Sequence, residues 1–240
     1  MLAKRVILIL PFVDGVLFRT KRFVPDYRYT QAFSWSGDAD ELVFLDITRH
    51  RTAESRLKFL KILEKYGRDV DIPMYSGGGI RSFSDAVENI NAGGEGIVVG
   101  YGGARIYEEI AAKIGCQALI AGIDYTKDGV SIDQGRCAPG ETVEQAAAEA
   151  IRLGAGQVLL TSIDRDGSLS GFDCQAIGAY RQRFTVPLII AGGCGSWGHF
   201  KEAFEAGADG AATSNIFHLN PTAVRACKTY LRDHGCNVRP

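Results

Sequence analysis

With 240 residues, 46% of them hydrophobic and 23% charged, the chain has apolar material for one large core and lacks the polar excess of a disordered polypeptide. A formal net charge of -1 excludes the basic surplus of a nucleic-acid binder, and Gly, Asp or Arg interrupts every apolar run before the ~18 residues that a membrane helix needs. Six cysteines without a C-x-x-C pair, beside four histidines, indicate neither a disulfide framework nor a zinc site, so no metal and no cofactor is expected.

The first apolar run, VILIL from Val6, follows the two cations Lys4 and Arg5 but is succeeded at once by Pro11 and Asp14, with no small-residue cleavage site. It reads as a strand of a soluble, cytosolic protein rather than a secretory leader. Seven further strands are predicted in ELVFLDI, IPMYSGG, GIVVG, ALIAGID, QVLLTSI, VPLIIAGG and DGAATS. Helix-period segments lie between them, marked by Leu57, Leu60 and Leu63 early on and by Val224, Cys227 and Leu231 near the C-terminus. Eight strand-helix units predict a single α/β domain over residues 1–240, a closed (β/α)8 barrel, with an open doubly wound sheet as the rival.

An internal repeat supports the closed form. Residues 41–47 align with 157–163 at an offset of 116, while residues 72–79 align with 186–193 and residues 92–100 with 206–214 at an offset of 114. Two half-barrels, about 1–115 and 116–240, would close one ring around a pseudo-two-fold axis.

In such a barrel the working groups stand at the C-terminal strand ends, and phosphate is commonly held by the last two loops. Gly192 and Gly193 end the seventh strand there, and Ser214 and Asn215 end the eighth. Gly78 and Gly79 after the third strand and Gly100 after the fourth are their counterparts, so the pattern suggests a ligand with a phosphate at each end. These glycines would serve equally well simply to turn the chain. Asp124 ends the fifth strand as an acid-base candidate, or as a cap for the next segment; its repeat partner is Pro11, so only one half keeps a carboxylate. Asp46, Asp164 and Asp166 are further mouth carboxylates, with Asp166-Gly167 reading as a tight loop whose amide meets phosphate.

The runs MLAKR, DELVFLDIT, SGGGIRS, LLTSIDRDG, SGFD, EAFEAGADGA and IFH, spread over nearly the whole chain, closely resemble the cyclase subunit of imidazole glycerol phosphate synthase. The resemblance implies a barrel paired as a heterodimer with a class I glutaminase, whose ammonia enters at the bottom and meets a phosphorylated substrate at the top. It implies catalytic aspartates on the first and fifth strands: Asp124 matches the second, but Pro11 stands in the place of the first. Gly100-Tyr101 replaces an Asn-Thr of the first phosphate pocket, leaving the tyrosine to stack on a different ligand, and Ser214-Asn215 replaces Ala-Ser in the second. The entrance ring of Arg, Glu, Lys and Glu becomes Arg5, Glu41, Gly96 and Gln157, which suggests a wider entrance or mere drift. Arg19 matches a lysine in the loop after the first strand, GVLFRTKRFVPDYRYT, where Lys21, Arg22 and Arg28 interleave with Phe18, Phe23, Tyr27 and Tyr29. That loop suits a phosphorylated, ring-bearing ligand or is simply solvated.

Similar paralogues lacking the first aspartate occur in surface-glycan clusters, where a barrel and its glutaminase convert an acetamido group of a sugar to an acetamidino group. That is the preferred expectation here, ahead of the histidine-pathway cyclase itself. A related single-chain sugar isomerase and a catalytically dead scaffold that only activates a glutaminase are the rivals.

Overall fold

The computed structural model describes residues 2–28, 38–136, 140–214 and 222–240. Tyr29 and Asn215, named above, lie outside them. In chain order the elements are β1 (Arg5–Val13), β2 (Val16–Lys21), β3 (Val24–Arg28), β4 (Glu41–Asp46), α1 (Ala53–Asp69), β5 (Met74–Gly77), α2 (Phe83–Asn91), β6 (Gly96–Gly100), α3 (Tyr107–Lys113), β7 (Leu119–Thr126) and β8 (Gly129–Ser131). They continue with α4 (Val143–Arg152), β9 (Gln157–Ser162), α5 (Cys174–Arg181), β10 (Leu188–Ala191), α6 (Trp197–Glu205), β11 (Gly210–Thr213) and α7 (Ala223–Asp233).

Eight strands run parallel in the order β1, β4, β5, β6, β7, β9, β10, β11, and the last pairs back onto the first from Arg5↔Gly210 to Leu8↔Thr213. The ring is closed, as the eight strand-helix units predict. Alternation along each strand sorts the side chains. Ile7, Val43, Val98, Ile120, Leu159, Ile189 and Ala212 pack together inside the ring. Val6, Leu8, Leu42, Phe44, Leu160 and Ile190 face outward onto Phe59, Leu63, Ile177, Phe200 and Cys227 of the helices. Each such aliphatic or aromatic side chain contributes roughly 1.5–3 kcal/mol of transfer free energy, so the fold rests on two concentric apolar layers.

Helix starts are set by local capping. Thr52, Ser82 and Thr142 each accept the amide three residues on and donate their own amide to that residue's side chain. On α1 the Thr52 cap fixes a register that buries Ser55, Phe59 and Leu63, leaving Leu57 exposed and Leu60 only partly buried. The expected Leu57-Leu60-Leu63 stripe is therefore rotated by roughly a quarter turn about its shared member Leu63. On α7, Val224, Cys227 and Leu231 are buried as predicted.

The segment after the first strand is not a plain loop. β2 pairs antiparallel with β1 and β3 with β2, forming a ribbon. β8 pairs with β7 in the same way; the first hairpin turns at Asp14-Gly15, and the second turns at Lys127-Asp128 into Gly129. The ring is also clamped at its seam. Lys228 of α7 reaches Asp40 at 2.9 Å, both side chains at most 4% exposed, and the second Asp40 oxygen accepts the Val6 amide at 2.7 Å.

Candidate active site

The interior-facing register of β1 runs through Ile7 and Ile9 to Pro11, so Pro11 stands in the mouth where a catalytic carboxylate would project. The ladder between β1 and β11 ends at Leu8↔Thr213, so the missing amide of Pro11 breaks no rung on that side. On the other side Phe12 keeps the ladder intact by accepting the Ile47 amide at 2.8 Å.

Asp124 occupies the equivalent place on β7, with Ser131 of β8 and Thr161 of β9 as its register partners. It keeps some exposure to the mouth, but protein walls its carboxyl. Burial, aided by the Asp166 charge and opposed by a hydrogen bond with Thr161, pushes its pKa up to about 7. A carboxyl poised there both takes and gives a proton near neutrality. Of the other expected mouth acids, Asp46 is turned off the barrel axis, where its Oδ1 accepts the Thr48 amide and Oδ2 pairs with Arg51 Nε at 2.9 Å. Asp164 accepts the Lys127 amide of the β7–β8 turn. Neither is free to act as an acid-base group in the mouth.

Two segments close over the mouth, each crossing to the other repeat. The β2–β3 turn, with Arg22 and Phe23 both in left-handed backbone, docks on the loop after β9: the Arg22 amide donates to the Asp166 carbonyl at 3.2 Å and the Phe23 amide to Asp166 Oδ2 at 3.0 Å. Gly167 lies under Thr20, where a Cβ would come within 2.8 Å of its carbonyl. Asp166 and Gly167 are therefore engaged in holding this ribbon. Burial nonetheless raises the Asp166 pKa, against the bonds from Phe23 and Thr20. In the opposite sense, the segment after β8 turns with Asp133 and Gln134 left-handed, and Gln134 donates to the Ile47 carbonyl after β4 at 3.4 Å. Arg19 lies on the ribbon, paired with Asp26 and over the Tyr27 ring at 5.8 Å.

At the strand ends two glycines are sterically required. A Cβ on Gly78 would lie 2.1 Å from the Asp46 carbonyl, and one on Gly192 would lie 2.5 Å from that of Ser162. Gly193 abuts the Gly171 carbonyl, while Gly79 carries the Arg51 guanidinium directly over it. Ser214 follows Ala212 on the interior-facing register. Beyond Gly193, α6 begins at Ser196 with no side-chain cap and no acid in its first turn, a helix start whose amides and dipole favour an anion. Beyond Gly79, α2 begins with a capping box that includes Asp85, which offsets that field. Gly100 opens onto empty space, and Tyr101 is hydrogen-bonded to Glu141, its pKa pushed up to about 12 by burial and that carboxylate. Tyr101 is thus tied to the segment before α4 rather than presented as a stacking face.

At the opposite end of the barrel, Arg5 Nη1 donates to Glu41 Oε1 at 2.6 Å and to Gln157 Oε1 at 2.7 Å. Gln157 in turn reaches the Tyr75 hydroxyl at 3.5 Å. The Tyr75 ring fills the space above Gly96, where a Cβ would come within 2.6 Å of it. The expected widening therefore does not occur: an aromatic side chain from the neighbouring strand occupies the vacated place. Glu41 is buried with Oε2 unpartnered, and burial raises its pKa against the pull of Arg5.

Sequence reading missed Tyr75, Thr161 and Arg51. The register pairs Tyr75↔Gly96 and Asp124↔Thr161 reveal the first two, and the Arg-His-Arg run after β4 was the available signal for the third. Among the described residues no cluster of His, Cys, Asp and Glu forms a metal-binding set, and no helix is long and apolar enough to cross a membrane.

Residues 11–222 match the family described as histidine biosynthesis protein. The chain is 39% identical to the imidazole glycerol phosphate synthase subunit HisF of Thermotoga sp. strain RQ2, over 100% of this chain and 98% of that one. The HisF subunits of Geobacillus kaustophilus and Exiguobacterium sibiricum are each 36% identical, covering 100% and 93% of their own lengths and 100% and 95% of this chain. A closed parallel barrel with this match over its whole length belongs to the histidine biosynthesis protein family, as a relative of the HisF subunit of imidazole glycerol phosphate synthase.

Proposed function

We propose that the chain is the ammonia-using synthase subunit of a glutamine amidotransferase of the imidazole glycerol phosphate synthase type, working in the cytosol. A class I glutaminase docks on the face that carries Arg5 and Glu41. Ammonia passes Gln157 and Tyr75, follows the apolar interior, and reaches a phosphorylated acceptor in the mouth. The observation that carries this reading is Asp124, an inward carboxyl tuned to about 7 at the top of that interior and roofed by two crossing segments. Gly192, Gly193, Ser214, Asn215 and the amide end of α6 hold one phosphate; Asp166 and Gly167 fix the ribbon that covers it, and Arg19 lies on that ribbon.

The family description and the names of the relatives favour the histidine-pathway cyclase reaction, whose acceptor on this reading is a bisphosphate. One observation favours a second acceptor, a phosphate-bearing acetamido sugar: Pro11 supplies no proton where the cyclase resemblance requires an aspartate, and losing one general acid-base group costs ~100- to 10,000-fold in rate. The deciding assay supplies ammonium at alkaline pH, or glutamine with the glutaminase subunit, and follows each acceptor in turn. Turnover of the bisphosphate at the rate of a HisF relative assigns the histidine pathway. Turnover at least ~100-fold slower, with amidination of the sugar, assigns the second acceptor. No ammonia-dependent reaction with either, and no complex with a glutaminase, overturns the proposal.

A further inference from the structure

Arg51 lies in the short loop between β4 and α1, inside the sequence Arg49-His50-Arg51. Its guanidinium lies directly over Gly79. Asp46 anchors it, through the carboxylate at Nε and the backbone carbonyl at Nη2. The anchoring carboxylate is 2% exposed, whereas the arginine side chain keeps 23% of its surface open. The charge pair is therefore asymmetric: the acid is sealed beneath and the cation faces outward.

The surroundings add positive charge. Arg81, after β5, stands close enough to disfavour the Arg51 cation, as does Arg56. Arg56 is committed elsewhere, to Glu88, Asn89 and the Asp85 carbonyl. The guanidinium of Arg81 has no acidic partner among the described residues, and Arg49 and His50 are exposed on the same loop as Arg51. On the neighbouring strand, Gly100 leaves an open volume because Tyr101 is tied back to Glu141. The start of α2, the element that would otherwise attract an anion here, has its field offset by Asp85.

We infer that Arg51, assisted by Arg81, is an anion ligand of the first repeat, holding a phosphoryl group of the acceptor on the open side of its guanidinium, beside Gly79 and in the volume left open at Gly100. The guanidinium supplies side-chain charge and a planar pair of donors suited to phosphate oxygens, where the second repeat relies on backbone and a helix start. In the second repeat Arg165 packs its Cβ against Gly193 and donates from Nη1 to the Gly171 carbonyl at 3.3 Å. This inference deepens the proposed function and rests on it for the identity of the acceptor, but not for the anion site itself.

The test is an NMR titration of the isotope-labelled full-length chain with inorganic phosphate, following the Arg51 Nε–Hε pair and the amides of Gly79 and Gly193. Phosphate should move Arg51 and Gly79 together, and Arg51→Gln should weaken the Gly79 response at least ~10-fold while leaving that of Gly193 in place. Because Arg51→Gln leaves Asp46 unpaired and can unfold the chain, the Asp46→Asn/Arg51→Gln pair, which removes both charges together, is titrated alongside and should show the same loss. Arg81→Gln should weaken the response by a smaller factor. A Gly79 response unchanged in the neutral pair, or a phosphate effect confined to Gly193, overturns the inference. Loss of the ammonia-dependent reaction with the Arg51 response intact would instead remove the proposed function and leave this site standing.

Discussion

At the end of β5 the chain turns through Gly78 against the Asp46 carbonyl, and at the end of β10 it turns through Gly192 against that of Ser162. The backbone problem and its solution are the same in both repeats, yet most of the functional side chains placed upon it differ. The first repeat has Pro11, a carboxylate-anchored arginine and a capped α2. The second has Asp124, a ribbon-holding aspartate and an uncapped α6. Steric constraints at the strand ends keep the scaffold symmetric, because any Cβ there collides with backbone. Pro11 and Asp124, near the ends of β1 and β7, lie away from those turns, so the chemistry diverges there while the scaffold does not. On the proposed reading, the acid-base work falls on the second repeat, with Asp124, and the charge that meets a second phosphate falls on the first, with Arg51.

The largest effect should come from the residue that has no functional counterpart across the axis. Asp124→Asn should reduce ammonia-dependent turnover by ~100- to 10,000-fold, measured with ammonium so that glutaminase coupling is bypassed. Turnover of the unaltered protein that depends on the carboxylate should rise through about pH 7. The same substitution should stabilise the fold at alkaline pH. A carboxyl whose pKa is raised from 3.8 to about 7 binds its proton more tightly when folded, so stability is lost as pH rises through that window. At roughly 1.4 kcal/mol per unit the penalty is a few kcal/mol, relieved in the amide. Melting curves at pH 5 and pH 8 check this: a variant no more stable than its parent at pH 8 would show that the Asp124 environment is not desolvating.

The two seams between the repeats offer the next comparison. Where the chain closes on itself, Lys228 and Asp40 form a sealed ion pair; at the internal junction the position equivalent to Asp40 is Gly156, pressed against the Cys116 carbonyl with no room for a side chain. Lys228→Met should destabilise the chain by about 3–5 kcal/mol, because it leaves a buried carboxylate unpaired. Adding Asp40→Asn, which still accepts the Val6 amide, should recover much of that loss. Denaturant melts that show no recovery would mean that the lysine acts through packing rather than charge.

The roof segments differ in grip. Asp166 receives the Phe23 amide on its carboxylate and Arg22 on its carbonyl, whereas Gln134 makes one long bond to Ile47. Asp166→Ala should therefore speed hydrogen exchange across Val16–Arg28, with a local cost of about 1–3 kcal/mol. Gln134→Ala should cost under ~1 kcal/mol over its own turn. Equal effects would mean that the ribbon is held by its side chains and not by this aspartate.

How much of this was legible beforehand follows from which interactions are local. Strand order and closure were readable because each strand carries its own apolar alternation, and the glycines at 78 and 192 because the repeat exposes them in register. The ribbon was read as a loop, although Asp14-Gly15 marks a hairpin turn, because its basic residues mask the alternation. Leu57 misled, while Leu63 is buried and Leu60 half-buried, because the Thr52 cap, not apolar spacing alone, sets the register of α1. Arg51 and Tyr75 were invisible as site residues, since each acquires its role from a neighbour 21 to 28 residues away, Gly96 for Tyr75 and Gly79 for Arg51.

The smallest effect, and the finest comparison, lies at the entrance. Tyr75 faces Gly96 in the register, and Ile189 faces Gly210 at the equivalent rung of the second repeat. Both glycines are filled from the neighbouring strand, one by an aromatic ring and the other by an aliphatic side chain. The tyrosine differs in carrying a hydroxyl into the ring of Arg5, Glu41 and Gln157, over a bond of 3.5 Å that is too long to contribute much. Tyr75→Phe should therefore cost under ~1 kcal/mol in stability, keep the entrance filled, and leave ammonium-driven turnover unchanged. Tyr75→Ala removes the ring itself and uncovers Gly96, so it should cost about 3–5 kcal/mol. It should also alter the glutamine-driven rate relative to the ammonium-driven one, because ammonium added in solution can reach the mouth without passing this end. If the Phe and Ala variants keep the same ratio of glutamine-driven to ammonium-driven turnover, Tyr75 fills space and does not govern passage, and the two rungs are equivalent after all.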